Sequence, residues 1–359
     1  MNRRHFTQRL ALAAGATTLL PTCRAEAQKT AEPSNTSTTT QVETTLLRGK
    51  ALKKGDTVGL ITPGSFIPDR DLAKAERNME ALGLTVKRGK YLRELRGFNA
   101  GTDAQRLEDL HAMFADPDVD AIWCARGGYG CTRLLPDIDF DLIRQNPKIL
   151  IGYSDITALT TAIFQQTGLI CFHGPVAAST LTDYTRAQVE RVLFNASERL
   201  TIEPARENLI REDELYKPQL LYPGKASGRL IGGNLSLLAA MAGTPWALQP
   251  SGKLLFMEDI EEKPYRIDRM LTQLHQSSPL TEAAGFALGI FAGCEPEPED
   301  NSLTLAETLV DQISPLEKPA IYGLSFGHIG HQCTLPVGVQ ATLDAEKRSI
   351  TLNEPWLRR

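Results

Sequence analysis

Ser154, Glu258 and His328 each follow a separate apolar run of this 359-residue chain, and together they carry the groups of nucleophilic acyl transfer. A serine hydroxyl attacks a carbonyl when a base takes its proton, a carboxylate orients that base, and N–H donors meet the oxyanion. Ser154 lies in ILIGYSDITAL (149–159), where a strand-like run stops at Gly152 and helical spacing begins at once. A serine at such a junction is either a helix cap or a nucleophile on a sharp turn. Glu258 ends the run LLFMED (254–259), and His328 follows AIYGLSFG (320–327) to open the glycine-flanked GHIGH. A carboxylate at a strand end is otherwise a cap or a surface charge. The order serine, acid, histidine is that of α/β-hydrolase triads, but Ile156 replaces the second glycine of G-x-S-x-G, so a standard elbow of that fold is not expected. The oxyanion donors expected are the N–H of Asp155 and that of Gly127 or Gly128 in RGGYG (126–130).

The other histidines have weaker claims. His5 lies in the leader, and His111 and His275 fall inside helical patterns, as packing or surface residues do. His173, in CFHGPV, follows a strand-like run and is either core or close to the site. His328 and His331 form an H-x-x-H pair with no cysteine or carboxylate at local zinc-site spacing, so neither a metal nor a cofactor is expected. Beyond Cys23 the cysteines are Cys124, Cys131, Cys171, Cys294 and Cys333, an odd and scattered set that reads as buried thiols. Cys124 and Cys131 are the pair near enough in sequence to join.

The elements that must hold these residues alternate. TVGLITPGS (57–65), LTVKRG (84–89), VDAIWCARGGYG (119–130) and the run before Ser154 read as strands, with amphipathic helices at 71–83 and 102–116 between them. That pattern implies α/β architecture, an N-terminal doubly wound parallel sheet with its chemistry beyond the carboxyl ends of the strands. TPGS, RGGYG and GYSD all fall at such ends. Residues 171–225, with a helix near 185–195, read as a connector. A smaller C-terminal α/β domain is expected from 226 to 359, with strands at 253–259, 286–293 and 320–328 and helices at 265–276 and 303–315. The active site is expected between the two domains.

The net charge of −4 and the lack of a basic cluster in the body argue against a nucleic-acid partner, and no apolar run after the first residues is long enough to span a bilayer. The first 27 residues read as an export signal of twin-arginine type: Arg3-Arg4 and Phe6, a mildly apolar stretch, then Ala25-Glu26-Ala27. This implies a periplasmic location, with lipidation at Cys23 in the loosely lipobox-like LPTC as the alternative. Residues 28–50, rich in Ser and Thr, are expected to form a flexible tether, and 51–170 the nucleophile domain.

Seven segments in series, GDTVGLITPGS, WCARGGYGCTRLLPDID, ILIGYSDITAL, FHGPV, GRLIGGNLSLLAAMAGT, LLFMEDIEEKPYRIDRMLTQL and GHIGH, resemble the LD-carboxypeptidase family, the S66 serine peptidases, from about residue 50 to the end. The resemblance implies a Ser154–Glu258–His328 triad, no metal, a homodimer, and a substrate that is the tetrapeptide stem of peptidoglycan, cut at the L-to-D bond to release D-alanine. A related branch hydrolyses a peptide-nucleotide antibiotic with the same triad and an aromatic-rich loop. Here 200–225 offers only Tyr216 and Tyr222. A catalytically silent wall-peptide-binding protein is the remaining alternative. An exopeptidase must hold a free carboxylate beside its nucleophile. Arg126 is the candidate for that, with a salt bridge supporting the loop as the other reading. Asn234 is either a pocket residue or a helix cap.

Overall fold

The computed structural model describes residues 45–359. The expected export signal, Cys23 and most of the expected tether lie outside these residues. The end of the tether does not: Leu47 bridges Leu169, Ala51 N–H donates to the Arg358 carbonyl at 2.9 Å, and Leu46 and Leu47 pack on the core. The chain is therefore fastened from Leu47 on, because two adjacent leucines gain more by burial than by remaining in water.

In chain order the first stretch contains β1 (Thr57–Ile61), α1 (Asp69–Ala81), β2 (Thr85–Arg88), α2 (Asp103–Ala115), β3 (Ala121–Cys124), α3 (Phe140–Gln145), β4 (Ile149–Gly152), α4 (Thr157–Thr167), β5 (Cys171–His173) and α5 (Asp183–Leu193). Then come β6 (Leu200–Ile202), α6 (Arg206–Leu209), β7 (Gln219–Tyr222), β8 (Lys225–Asn234), α7 (Leu235–Ala240), β9 (Leu254–Glu258), α8 (Pro264–Ser277), β10 (Gly285–Leu288), α9 (Leu305–Ile313), β11 (Ala320–Tyr322), β12 (Leu335–Val337), β13 (Gln340–Asp344) and β14 (Ser349–Leu352).

Two sheets result. The first has the order β12-β5-β4-β3-β1-β2, with β1 to β5 parallel. Its parallel part has the 2-1-3-4-5 order of flavodoxin-like sheets, which bind ligands in the crevice where the order reverses. β3 and β4 are buried along their whole length, as strands covered on both faces must be. The second sheet, β6-β14-β13-β8-β9-β10-β11-β7, has a parallel centre, β8 to β11, and antiparallel flanks. One strand crosses between the regions: β12, from late in the chain, pairs antiparallel with β5 and closes the edge of the nucleophile sheet. β5 itself lies inside the stretch read as a connector.

Local sequence explains the helices that matter most. α2 starts at Thr102, whose hydroxyl accepts from Gln105 N–H while the Gln105 side chain accepts from Thr102 N–H. This reciprocal cap fixes the first turn. Leu107, Leu110, Met113 and Phe114 then face the core at helical spacing. Among the described residues no helix is long and apolar enough to cross a membrane.

Candidate active site

The loops after β1, β3 and β4 meet at Ser154. The residue has φ +64°, in the left-handed region, which costs an L-residue about 1–2 kcal/mol. That strain persists only where surrounding structure imposes it. Here β4, buried throughout, feeds one side of the turn, and a short 3₁₀ turn (Ser154–Ile156) running into α4 fixes the other. The result is a sharp strand-to-helix turn that presents Ser154 without the second glycine of G-x-S-x-G: Gly152 lies close under Ile156, whose side chain occupies the space a β-carbon on the glycine would need. Gly127 faces the serine directly. A β-carbon added there would lie 2.9 Å from Ser154 Cβ and 3.2 Å from Oγ, so only glycine allows this approach. Among the described residues, the N–H groups of Gly127, Gly128 and Asp155 make no loop or side-chain hydrogen bond, leaving them available as oxyanion donors.

Two side chains lock these loops together. The Asp155 carboxylate, 2% exposed, accepts the Cys131 N–H at 2.9 Å and thereby ties the glycine turn to the residue after the nucleophile. Burial raises its pKa above the usual carboxylate range, against the opposing hydrogen bonds from Cys131. Ser65, of the TPGS loop, donates its N–H to the Gly127 carbonyl at 3.0 Å and accepts Tyr129 N–H at 3.0 Å on Oγ. Sequence reasoning used Asp155 only for its N–H and did not single out Ser65. An acid immediately after a candidate nucleophile was a signal that it could have used.

The candidate acid and base come from β9 of the second sheet and the loop after β11. Glu258 ends β9 and is fully buried, and its Oε2 accepts the Nδ1–H of His328 at 2.8 Å. This contact fixes the tautomer and leaves Nε2 free to act as base. Burial alone would lower the His328 pKa. The hydrogen bond and charge of Glu258, with the charges of Asp259 and Glu261, outweigh it and hold the imidazole above its usual value. The expected strand 320–328 is shorter than read: β11 ends at Tyr322, where Gly323 takes φ +95°, and the chain returns to the sheet edge only at the Gly327–Ile290 bridge. His328 therefore stands on a loop. The Tyr153 ring backs it, with centroids 4.7 Å apart.

Asp259 has a different task. It is 2% exposed and accepts from Asn234 Nδ2 (2.9 Å), Ser236 N–H (2.9 Å), Ser236 Oγ (2.8 Å) and Ile260 N–H (2.9 Å). Burial, then the charge of Glu258, pushes its carboxyl up to about 6. Asn234 caps α7, accepting Leu237 N–H, and its own N–H donates to Thr157 Oγ1 at 2.9 Å. That bond joins the start of the nucleophile's helix to the second sheet. Gly233, at φ +149°, makes it possible, since a β-carbon there would lie 2.4 Å from Thr157.

Ser154 thus stands one residue from Tyr153, which touches His328. Ser154 Oγ makes no hydrogen bond among the described residues, as is common for catalytic contacts that tighten only with substrate bound. Arg126 is half-buried and donates from one guanidinium nitrogen to the Phe66 carbonyl at 2.9 Å. No carboxylate pairs with it among the described residues, so the salt-bridge alternative is not what the structure shows. Asn234, by contrast, is 3% exposed, and its side chain makes the α7 cap and the bond to Asp259, which is the helix-cap reading. His111 accepts from Asp139 N–H, and His275 meets the Gln312 carbonyl, both away from the triad. The cysteines from Cys124 to Cys333 are free and buried, so Cys124 and Cys131 do not pair. Among the described residues no cluster of three or more His, Cys, Asp or Glu side chains is placed to hold a metal.

Family comparisons agree with this architecture. Residues 58–174 match the LD-carboxypeptidase N-terminal domain and residues 227–343 its C-terminal domain. The chain is 45% identical over 307 residues to a probable murein peptide carboxypeptidase of Bacillus subtilis, covering 84% of this chain and 93% of that one. The crystal structure of muramoyltetrapeptide carboxypeptidase from Oxalobacter formigenes superposes with a TM-score of 0.72 at 31% identity, over 84% of this chain and all (100%) of that one. The microcin C7 self-immunity protein MccF of Escherichia coli is 28% identical, covering 85% of this chain and 95% of its own, and an apo structure of MccF superposes with a TM-score of 0.79. This chain belongs to the LD-carboxypeptidase family of S66 peptidases.

Proposed function

We propose that this protein is a serine carboxypeptidase that hydrolyses the L-to-D peptide bond of peptidoglycan tetrapeptide stems and releases D-alanine. The observation that carries the reading is the strained Ser154 turn facing Gly127, beside a His328–Glu258 pair whose free Nε2 completes a base. His328 takes the Ser154 proton as Oγ attacks the carbonyl carbon, and Glu258 stabilises the imidazolium that forms. The N–H of Asp155 and that of Gly127 or Gly128 hold the oxyanion. His328 then protonates the departing amine, and a water, activated by the same histidine, frees the acyl group from Ser154. Arg126, beside the glycine turn, receives the terminal carboxylate.

The murein and muramoyltetrapeptide carboxypeptidase names of its relatives support this substrate class. The paired arginines and the apolar stretch of the leader support action in the periplasm, and the family resemblance supports a homodimer. The likeness to MccF favours one second reading, hydrolysis of a peptide-nucleotide antibiotic. Against it, Tyr216 is occupied by the Arg211 guanidinium 4.1 Å above its ring. The test incubates residues 28–359 with the tetrapeptide stem and follows free D-alanine, with Ser154→Ala alongside. Release by the wild type alone is the expected result. No release by either protein, with turnover of a peptidyl nucleotide, transfers the assignment to the second reading.

A further inference from the structure

His173, at the end of β5, is 1% exposed, and neither ring nitrogen has a hydrogen-bond partner among the described residues. A buried imidazole without partners is costly and needs a reason. Its surroundings supply one. The ring packs edge-on against Tyr153 (centroids 6.1 Å), Phe256 (5.2 Å) and Phe326 (6.2 Å). Those rings stand one residue before the nucleophile, two before the acid and two before the base. On the strand ladder His173 lies opposite Gly152, which leads into the nucleophile turn, and opposite Leu335 of β12.

Two other polar atoms at this junction are equally buried and unpartnered among the described residues: Oε1 of Glu258 and Oγ1 of Thr334. Thr334 precedes the residue paired with His173 and lies against Gly174, where a β-carbon would be 2.9 Å from Oγ1. An acceptor carboxylate oxygen, a hydroxyl and a neutral imidazole are complementary. The hydroxyl can donate to one ring nitrogen while the other N–H serves the carboxylate. Burial lowers the His173 pKa to about 4, although Glu258 pulls it upward, so the ring is neutral at physiological pH.

We propose that His173 is a positioning residue of the triad: its N–H serves Oε1 of Glu258 through one internal water, and so leaves Oε2 alone to engage His328. The inference rests on the Ser154–Glu258–His328 assignment and is independent of the substrate. The test measures the rate at which a fluorophosphonate serine probe labels Ser154 in His173→Asn, His173→Gln, His173→Phe and His173→Leu, each checked for an unchanged thermal midpoint. The donor-keeping Asn and Gln variants are expected within about threefold of wild type, and the donor-less Phe and Leu variants slower by roughly ten- to a hundredfold. A packing role gives the opposite order, with Phe at least as fast as Asn, and that result overturns the proposal. Folded Phe and Leu variants that label at the wild-type rate overturn it too. An unlabelled wild type removes the triad itself, whereas labelling without D-alanine release leaves this inference standing and sinks only the substrate assignment.

Discussion

The two halves of the candidate site are built by different means. The nucleophile half relies on backbone: a serine at φ +64°, a glycine opposite it, and loops sewn together by Ser65 and Asp155 through main-chain groups. The acid–base half relies on buried charge: Glu258 fully buried and Asp259 nearly so, each defined by what it accepts. The difference shows which kind of change each half tolerates. The first is broken by a single added carbon, with all charges kept. The second is broken by a single neutralised oxygen, with all shapes kept.

The comparison can be tested in descending order of effect. Glu258→Gln preserves shape and should lower kcat by about a thousand- to ten-thousandfold, because the imidazolium loses its counter-charge and the tautomer its anchor. Circular dichroism and a thermal melt should show the variant folded. Gly127→Ala changes no charge and should cost about a hundredfold in kcat, since the methyl would press on Ser154 and displace an oxyanion donor worth that much. Asp155→Ala crosses the two categories: it removes a charge whose use is to hold backbone. It should destabilise by about 1–3 kcal/mol, the cost of leaving the Cys131 N–H buried and unpaired, measured by urea denaturation. The smallest effect is in pH. Since His328 must be neutral to act and its pKa is raised above 6.5, the acidic limb of kcat/KM should have its midpoint above 6.5. In Glu258→Gln the residual activity should show that limb moved downward, because burial then acts with less opposition. Stability should run the other way. Both His328 and Asp259 have raised folded-state pKa values, so the stability they confer is present at low pH and is lost as pH rises through them, Asp259 near 6.

What the sequence revealed follows the same division. The candidate triad was legible because Ser154 and Glu258 adjoin apolar runs that are buried strands, β4 and β9, and strand ends are where α/β sheets gather their chemistry, whereas His328 was reached by an apolar run that is only partly strand. The parallel sheet was legible from alternation of strand and helix periods. The fastening of the loops was not. Asp155, Ser65, Asp259 and Thr157 act across distances that sequence spacing does not encode, because which loops touch depends on strand order. Asn234 was legible as a cap, since Asn is favoured there, but its bond to Asp259 was not. The early end of β11 went unseen because Leu324 and Phe326 keep the apolar pattern of a strand after Gly323 has turned the chain out of it.

The pairing of β12 with β5 has a consequence for how the molecule is made. The edge of the sheet that bears Ser154 is completed by residues 335–337, and Lys50 bridges Arg358. A nascent chain can therefore contain Ser154, its helix and both glycine loops while its sheet still lacks an edge and Lys50 has not yet met Arg358. Contacts of such long sequence separation form late and slowly. Under the proposed assignment, activity should thus appear only once the ribosome has delivered β12, so that synthesis itself keeps Ser154 idle until the edge strand is made.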